Sequence, residues 1–211
     1  MRRLLTMRRG EMPADRIRSD GWHGRARILK SPHADARPPG ARVRLIVIHA
    51  ISLPPRRFGS DAVERLFMGT LDTRQHASLQ SLQGVRVSAH FFIRRHGELL
   101  QFVAVGERAW HAGASRHRGR PRCNDDSIGI ELEGDTRRRY TRFQYHVLAG
   151  LIRALAASLP IRHIAGHSQI APRRKWDPGP LFEWRRLSRL TQTSALQWPL
   201  TPAGRVIARR I

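Results

Sequence analysis

Cysteine is nearly absent from this sequence of 211 residues, in which Cys123 is the only one. A single cysteine excludes an intramolecular disulfide and any zinc site built from several cysteines, so the sequence is compatible with a reducing compartment. Lysine is also scarce, because only Lys30 and Lys175 occur among 39 basic residues. With only 16 acidic residues, the formal net charge is +23, a surplus that favours polyanions without choosing among nucleic acid, lipid and carboxylate-rich substrates.

Long hydrophobic runs are missing too. No segment approaches the roughly twenty apolar residues of a membrane span, and the first residues, MRRLLTMRRG, lack the apolar core of a signal peptide. We therefore expect a soluble, cytoplasmic protein without a membrane partner. The basic charge is not accompanied by interleaved aromatic residues or a known binding motif, so no specific nucleic-acid partner is expected. The sequence does not indicate an oligomeric state.

The order of apolar patterns predicts one α/β domain with a mixed central β-sheet flanked by helices. Strands are predicted over 43–51, 87–95, 99–103, 127–132 and 161–167, and helices over 62–69, 143–158 and 181–190. The arginine-rich residues 1–20 are typical of a flexible basic arm. The expected organisation is therefore an arm over 1–20, a domain over 21–190 and a tail over 191–211.

Three residues of metal-ligand type stand near the ends of apolar segments. His49 lies in VRLIVIHAI, His167 closes IRHIAGH, and Asp177 follows ten residues later in KWDPGP. Two neutral imidazoles and a carboxylate are ligands that hold zinc and leave a fourth position for water, although spacing alone does not identify this set among eleven histidines. His163 forms an i, i+4 pair with His167, but Gly166 argues against the helix that such a zinc pair needs.

Two further features suggest catalysis. Glu131 and Glu133 alternate in the apolar segment SIGIELE, so they share one face of the predicted strand. At least one of them would face a polar cavity as a general base, unless the strand is an edge strand with a solvated face. Lys175 is a rare lysine two residues from Asp177, where a compact ammonium suits a developing oxyanion; a neutral exchange with arginine is the alternative.

Five segments carry a resemblance to a known family. They are VIHAIS, RVSAHFFIRRHGELLQFV, RAWHAGAS, RCNDDSIGIELEG and AGHSQIAPRRKWDPGP, and they occur in this order between Trp22 and Leu190. The sequence resembles the AmpD-type N-acetylmuramoyl-L-alanine amidases, which cleave the bond between muramic acid and L-alanine in cell-wall fragments, in the cytoplasm, during peptidoglycan recycling. The resemblance implies a muropeptide substrate with muramic acid in the 1,6-anhydro form.

The resemblance also implies roles for individual residues. His49, His167 and Asp177 would bind Zn²⁺, with Glu131 and Lys175 as the catalytic pair. Four other residues would contact the substrate: Arg86 and Arg122 at the stem-peptide carboxylates, and Trp110 and His111 in the substrate wall. Ordinary surface arginines and packed rings remain the alternative for these four.

Two positions depart from the family pattern. Ala50 replaces a common asparagine after the first histidine, and Trp176 replaces a small residue beside Asp177. Neither is a proposed ligand, but both bear on sugar contacts and on preference for the anhydro form. A zinc-free peptidoglycan-binding module is the alternative function, against which the intact set of ligand and catalytic residues argues.

Overall fold

A mixed β-sheet of six strands forms the centre of the structure, a computed structural model that describes residues 15–199. The strands along the chain are β1 Arg27–Ile28, β2 Ala34–Ala36, β3 Leu45–Ile51, β4 Phe91–Ile93, β5 Leu99–Gln101, β6 Glu107–Ala109, β7 Arg116–His117, β8 Arg120–Pro121, β9 Ser127–Glu133 and β10 His163–Gly166. The central sheet has the order β1-β5-β4-β9-β3-β10, whereas β2 pairs with β6 and β7 with β8 in two small separate sheets. Strands β4, β9, β3 and β10 are parallel, and β5 is antiparallel to β4.

The two central strands carry isoleucines on one face of the sheet and mixed apolar and polar side chains on the other. β3 pairs with β9 along its whole length, from Leu45 opposite Ser127 to Ile51 opposite Glu133. Because successive side chains of a strand point to opposite faces, the even-numbered isoleucines of both strands enter one hydrophobic cluster. His49 and Glu131 are register partners and belong to the other face.

Helices cover both faces. The α-helices are α1 Ala62–Phe67, α2 Arg142–Ser158, α3 His167–Ile170 and α4 Trp184–Thr191, and 3-10 turns span Thr73–Gln75, Ala77–Leu82 and Cys123–Asp126. α2 and α4 supply Leu148, Leu151 and Leu187 to the cluster that contains the isoleucines. α1 packs on the opposite side with Phe92 of β4. The predicted fold class, a mixed sheet flanked by helices, is confirmed.

Some local predictions differ from the structure. The strand predicted over 161–167 ends at Gly166, and His167 instead begins the single helical turn α3, in which the Gln169 side chain accepts a hydrogen bond from the Gly166 amide at 2.7 Å. One turn is too short to produce a hydrophobic period. The segment between the predicted strands over 99–103 and 127–132 contains the β7–β8 hairpin. Phe143, the first residue of the helix predicted over 143–158, is 50% exposed.

Parts of the predicted arm and tail pack on the domain. Ile17 pairs with His23 in an isolated bridge and contacts the main cluster. Leu196 is buried in the same cluster, and Gln197 bridges to His163 at the edge of the sheet. The rest of the predicted arm and tail, residues 1–14 and 200–211, lies outside the described residues. Across residues 15–199, no helix is long and apolar enough to cross a membrane.

The start of α2 yields a stability prediction. Thr141 accepts a hydrogen bond from the Gln144 amide at 3.2 Å, the Gln144 side chain accepts one from the Thr141 amide at 3.0 Å, and the Thr141 hydroxyl donates to the Arg95 carbonyl at 2.6 Å. Thr141→Ala should lower the free energy of unfolding by about 1 kcal/mol, because an N-cap side chain is lost. Urea denaturation measures this change. Thr141→Ser keeps the hydroxyl and should lose much less, and equal losses in both variants would contradict the capping role.

Candidate metal centre and active site

Three side chains converge on one point at the face of the sheet that carries His49 and Glu131. His49 belongs to β3, and His167 directly follows β10, the parallel neighbour of β3, in which Gly166 pairs with Ile48. Asp177 comes from the loop after α3. The His49 and His167 Nδ1 atoms are 2.9 Å apart, and Asp177 Oδ2 lies 3.2 Å from the first and 3.1 Å from the second. Within residues 15–199, this is the one group of three such residues whose ligand atoms all lie within 4.8 Å of one another.

The chemistry of this group fits a divalent zinc ion. Burial lowers the pKa of His49 to about 4, so its imidazole is neutral and keeps a lone pair. Burial alone would raise the pKa of Asp177, but the adjacent His167 and His49 rings outweigh that effect and hold its pKa below the usual range. Tetrahedral ligands at zinc distances are separated by about 3.3 Å, close to the separations seen here. Three ligands of this kind leave a fourth position open, as in hydrolytic zinc sites.

Glu131 is the carboxylate beside this group. It lies opposite His49 in the sheet, with Oε1 4.0 Å from His49 Nδ1. Its Oε2 is buried and has no hydrogen-bond partner in the described part of the chain. Burial, reinforced by the charge of Asp177, raises the pKa of Glu131 well above its usual value, and Lys175 opposes that rise. A buried carboxylate that has an oxygen without a hydrogen-bond partner, beside a cluster of metal-ligand residues, has the character of a general base.

Glu133 shares the face of Glu131 but is fully engaged with the protein. Its Oε2 accepts a hydrogen bond from the Arg95 amide at 3.0 Å, its Oε1 accepts a short one from the Gly59 amide, and Arg94 is 3.7 Å away. The structure thus distinguishes two glutamates that the sequence places on one face. Glu133 holds loops at the end of the strand, whereas Glu131 is available for chemistry.

Lys175 lies in the loop that connects α3 to Asp177. Its backbone amide donates to the Ala171 carbonyl at 3.0 Å, and its side chain is half-buried. Its positive charge opposes the rise in the Glu131 pKa and adds to the fall in the His49 pKa. The neighbouring Trp176 is 73% exposed beside this loop.

The four predicted substrate residues occupy different settings. Arg86 is exposed, and Arg122 is exposed with its Nε 3.1 Å from Asp125 Oδ2. Trp110 stacks on His33, with ring centroids 6.1 Å apart and planes at 16°. His111 lies directly behind His49, with its Nδ1 2.9 Å from His49 Nε2. Of the four, only His111 has a hydrogen bond to the ligand group in the described part of the chain.

Two further histidines and Ala50 lie outside the ligand group. His163 stands on β10, and its ring is 5.2 Å from that of His117, outside the ligand group. His90 is fully buried, and its Nδ1 accepts a hydrogen bond from the Gly129 amide at 3.0 Å, as expected of a packed histidine. Ala50 packs against the hydrophobic cluster under α2 and α4, so this departure from the family pattern lies on the other side of β3 from His49.

Sequence reasoning missed two polar residues that support the site. Asn124 Oδ1 accepts hydrogen bonds from the His111 amide at 3.2 Å and the Ala112 amide at 2.8 Å. Ser127 Oγ is 3.1 Å from His111 Nε2. The available signal was a polar residue at the start of an otherwise apolar strand, Ser127, and another in the turn just before it, Asn124.

Known proteins are similar to this chain in both sequence and fold. Residues 39–180 match the Amidase_2 family, described as N-acetylmuramoyl-L-alanine amidase. The 1,6-anhydro-N-acetylmuramyl-L-alanine amidase AmpD of Salmonella typhimurium strain SL1344 is 49% identical over 177 residues, which are 83% of this chain and 95% of the relative. AmpD of Escherichia coli K12 is 49% identical over 168 residues, covering 79% and 92% of the two chains.

Solved structures agree. A crystal structure of a selenomethionine derivative of AmpD superposes with a TM-score of 0.79 at 47% identity, covering 82% of this chain and 97% of that one. The Escherichia coli amidase AmiD, in complex with the substrate anhydro-N-acetylmuramic acid-L-Ala-D-γ-Glu-L-Lys, gives a TM-score of 0.53 at 29% identity, covering 73% and 60%. The resemblance inferred from the motifs is confirmed, and the chain belongs to the N-acetylmuramoyl-L-alanine amidase family.

Proposed function

We propose that this chain is a zinc-dependent amidase that hydrolyses the amide bond between N-acetylmuramic acid, in its 1,6-anhydro form, and L-alanine in peptidoglycan fragments. The observation that carries the proposal is the convergence of His49, His167 and Asp177 beside the vacant Oε2 of Glu131. Zinc held by the first three residues would supply Lewis-acid chemistry, polarising the scissile carbonyl and making water acidic.

The residues of the chain account for the proton transfers. Glu131 would take a proton from the attacking water through its vacant oxygen and deliver it to the alanine nitrogen as the amide C–N bond breaks. The buried setting that raises the pKa of Glu131 suits a carboxyl group that must hold this proton between the two steps. Lys175 would stabilise the negative oxygen that develops at the former carbonyl, as a compact cation in a half-buried loop.

The substrate assignment rests on relatives and on charge. The AmpD relatives are named for the 1,6-anhydro substrate, and AmiD was solved with an anhydromuramoyl tripeptide. Stem peptides carry several carboxylates, which the charge of +23 would attract. Within this proposal, Arg86 and Arg122 are exposed guanidinium groups suited to those carboxylates, and Trp110 would belong to the substrate wall. A role in cell-wall recycling and a cytoplasmic location belong to the same proposal.

The substrate proposal predicts a defined product. Incubation of the zinc-loaded chain with anhydromuramoyl peptide should release a stem peptide with a free alanine amino group, detected by mass spectrometry. The same muramoyl peptide with a reducing end, offered at equal concentration, tests the anhydro preference and should be cut more slowly. Binding of both compounds without any cleavage would favour the alternative, a peptidoglycan-binding module.

The roles of the ligand and base residues predict two different losses. His167→Ala should remove zinc binding, because two ligands remain. Glu131→Gln should retain one zinc per chain yet lower kcat by about 10²- to 10⁴-fold, the usual contribution of general acid-base catalysis. Zinc content by atomic emission and steady-state kinetics measure both effects. A fully active Glu131→Gln enzyme would contradict the assigned base.

Lys175 yields a prediction about the oxyanion. Lys175→Met keeps much of the side-chain length but removes the charge, and kcat should fall by about 10²- to 10³-fold with little change in KM. Lys175→Arg keeps the charge but replaces the compact ammonium with a planar group, so it should recover only part of the activity. A rise in KM at unchanged kcat would instead assign Lys175 to substrate binding.

A further inference from the structure

We infer that His111 and Ser127 are positioning residues that set the tautomer of His49, so that its Nδ1 presents a lone pair to the metal. The inference rests on the metal centre of the proposed function and goes beyond it, because it assigns His111 to the support of a ligand and not to the substrate wall. It follows from the direction of three linked hydrogen bonds.

The donor and acceptor of each bond are determined by starting from the hydrogen bond of Ser127. Ser127 Oγ makes a short hydrogen bond with the Cys123 carbonyl, and a carbonyl oxygen only accepts, so the serine proton points there. The serine oxygen can then only accept from His111 Nε2, which is 3.1 Å away. A neutral imidazole with its proton on Nε2 has a lone pair on Nδ1.

The same logic continues to His49. His111 Nδ1 lies 2.9 Å from His49 Nε2 and, as an acceptor, requires the His49 proton to reside on Nε2. The remaining nitrogen of His49, Nδ1, is then unprotonated and faces His167 Nδ1 and Asp177 Oδ2. The opposite tautomer would direct an N–H group at the position of the ion and could not coordinate it.

The second histidine ligand is oriented by the same segment through a simpler contact. His167 Nε2 donates to the carbonyl oxygen of Ala112 at 3.2 Å, which leaves its Nδ1 free as well. The pair His111 and Ala112 therefore supplies an acceptor to each ligand imidazole. Asn124 holds the backbone of this pair through the amides of both residues.

The His111 ring is held tightly in place. A Cβ atom added to Gly129 of β9 would lie 2.4 Å from His111 Cγ, so this strand position accepts only glycine while the ring is present. His90 meets the ring edge-on from another side, with centroids 5.9 Å apart. A ring packed in this way can transmit a fixed hydrogen-bond direction.

The test compares two side chains of the same shape. Asn and Leu are nearly isosteric, but Asn carries an oxygen close to the position of the lost Nδ1, whereas Leu offers no acceptor. In equilibrium competition with a chromogenic chelator, we expect His111→Leu to bind zinc about 10- to 100-fold more weakly than the wild type, as for other supporting residues of metal sites. His111→Asn should remain within a few-fold of the wild type.

A second pair of variants tests the hydrogen bond between Ser127 and His111. Ser127→Ala removes the group that orients His111 and should weaken zinc binding several-fold, whereas Ser127→Thr keeps the hydroxyl and should not. Thermal unfolding of the metal-free proteins separates these effects from lost stability. Equal zinc affinities for His111→Leu and His111→Asn, whether lowered or unchanged, would overturn the inference. Failure of the wild-type chain to bind zinc would instead overturn the proposed function.

Discussion

The parallel pairing of β3 with β9 on one side and β10 on the other is the constraint on which the site depends. This pairing places His49 directly opposite Glu131 and brings His167, the residue after β10, beside His49. None of these residues is close to another in the sequence. Their separation is instead determined by backbone hydrogen bonds between buried strands, which are rigid and shielded from water. A shift of β9 by one residue would turn Glu131 away from His49 and into the apolar core under α2 and α4.

One face of the sheet is packed by the main apolar core, whereas the other carries both smaller apolar clusters and the site. The face covered by α2 and α4 is filled by isoleucines of the strands and leucines of α2, which provide an apolar core. On the other side, polar groups lie buried near the ligands, and most have a protein partner. The described exception at the centre, Glu131 Oε2, is costly to bury, and a carboxylate oxygen left vacant in this way is most readily explained by a functional partner.

Much of this arrangement could be predicted from the sequence, because the relevant signals are strong. A run of β-branched residues predicts β3, and a 3.6-residue period with a stop at Pro160 predicts α2 within one residue of its observed start. The ligand types were recognisable for His49, His167 and Asp177, but their convergence depends on strand order, which local patterns do not encode. The motif resemblance supplied that information.

Other features were beyond prediction for physical reasons. Glu131 and Glu133 have the same pattern in the sequence, and only the loops that reach Glu133 distinguish them. The support of His49 by His111 and Ser127 depends on side-chain contacts between residues 62 and 16 positions apart. The single turn α3 and the hairpin of β7 and β8 are too short to show a period.

We propose that two imidazoles and one carboxylate of this chain hold a zinc ion with one position left open. X-ray absorption at the zinc edge of the purified chain tests it most directly. The predicted spectrum shows only nitrogen and oxygen neighbours at about 2.0–2.2 Å, with the outer-shell pattern of two imidazoles. A sulfur neighbour at about 2.3 Å, a third imidazole or the absence of bound zinc would contradict the claim.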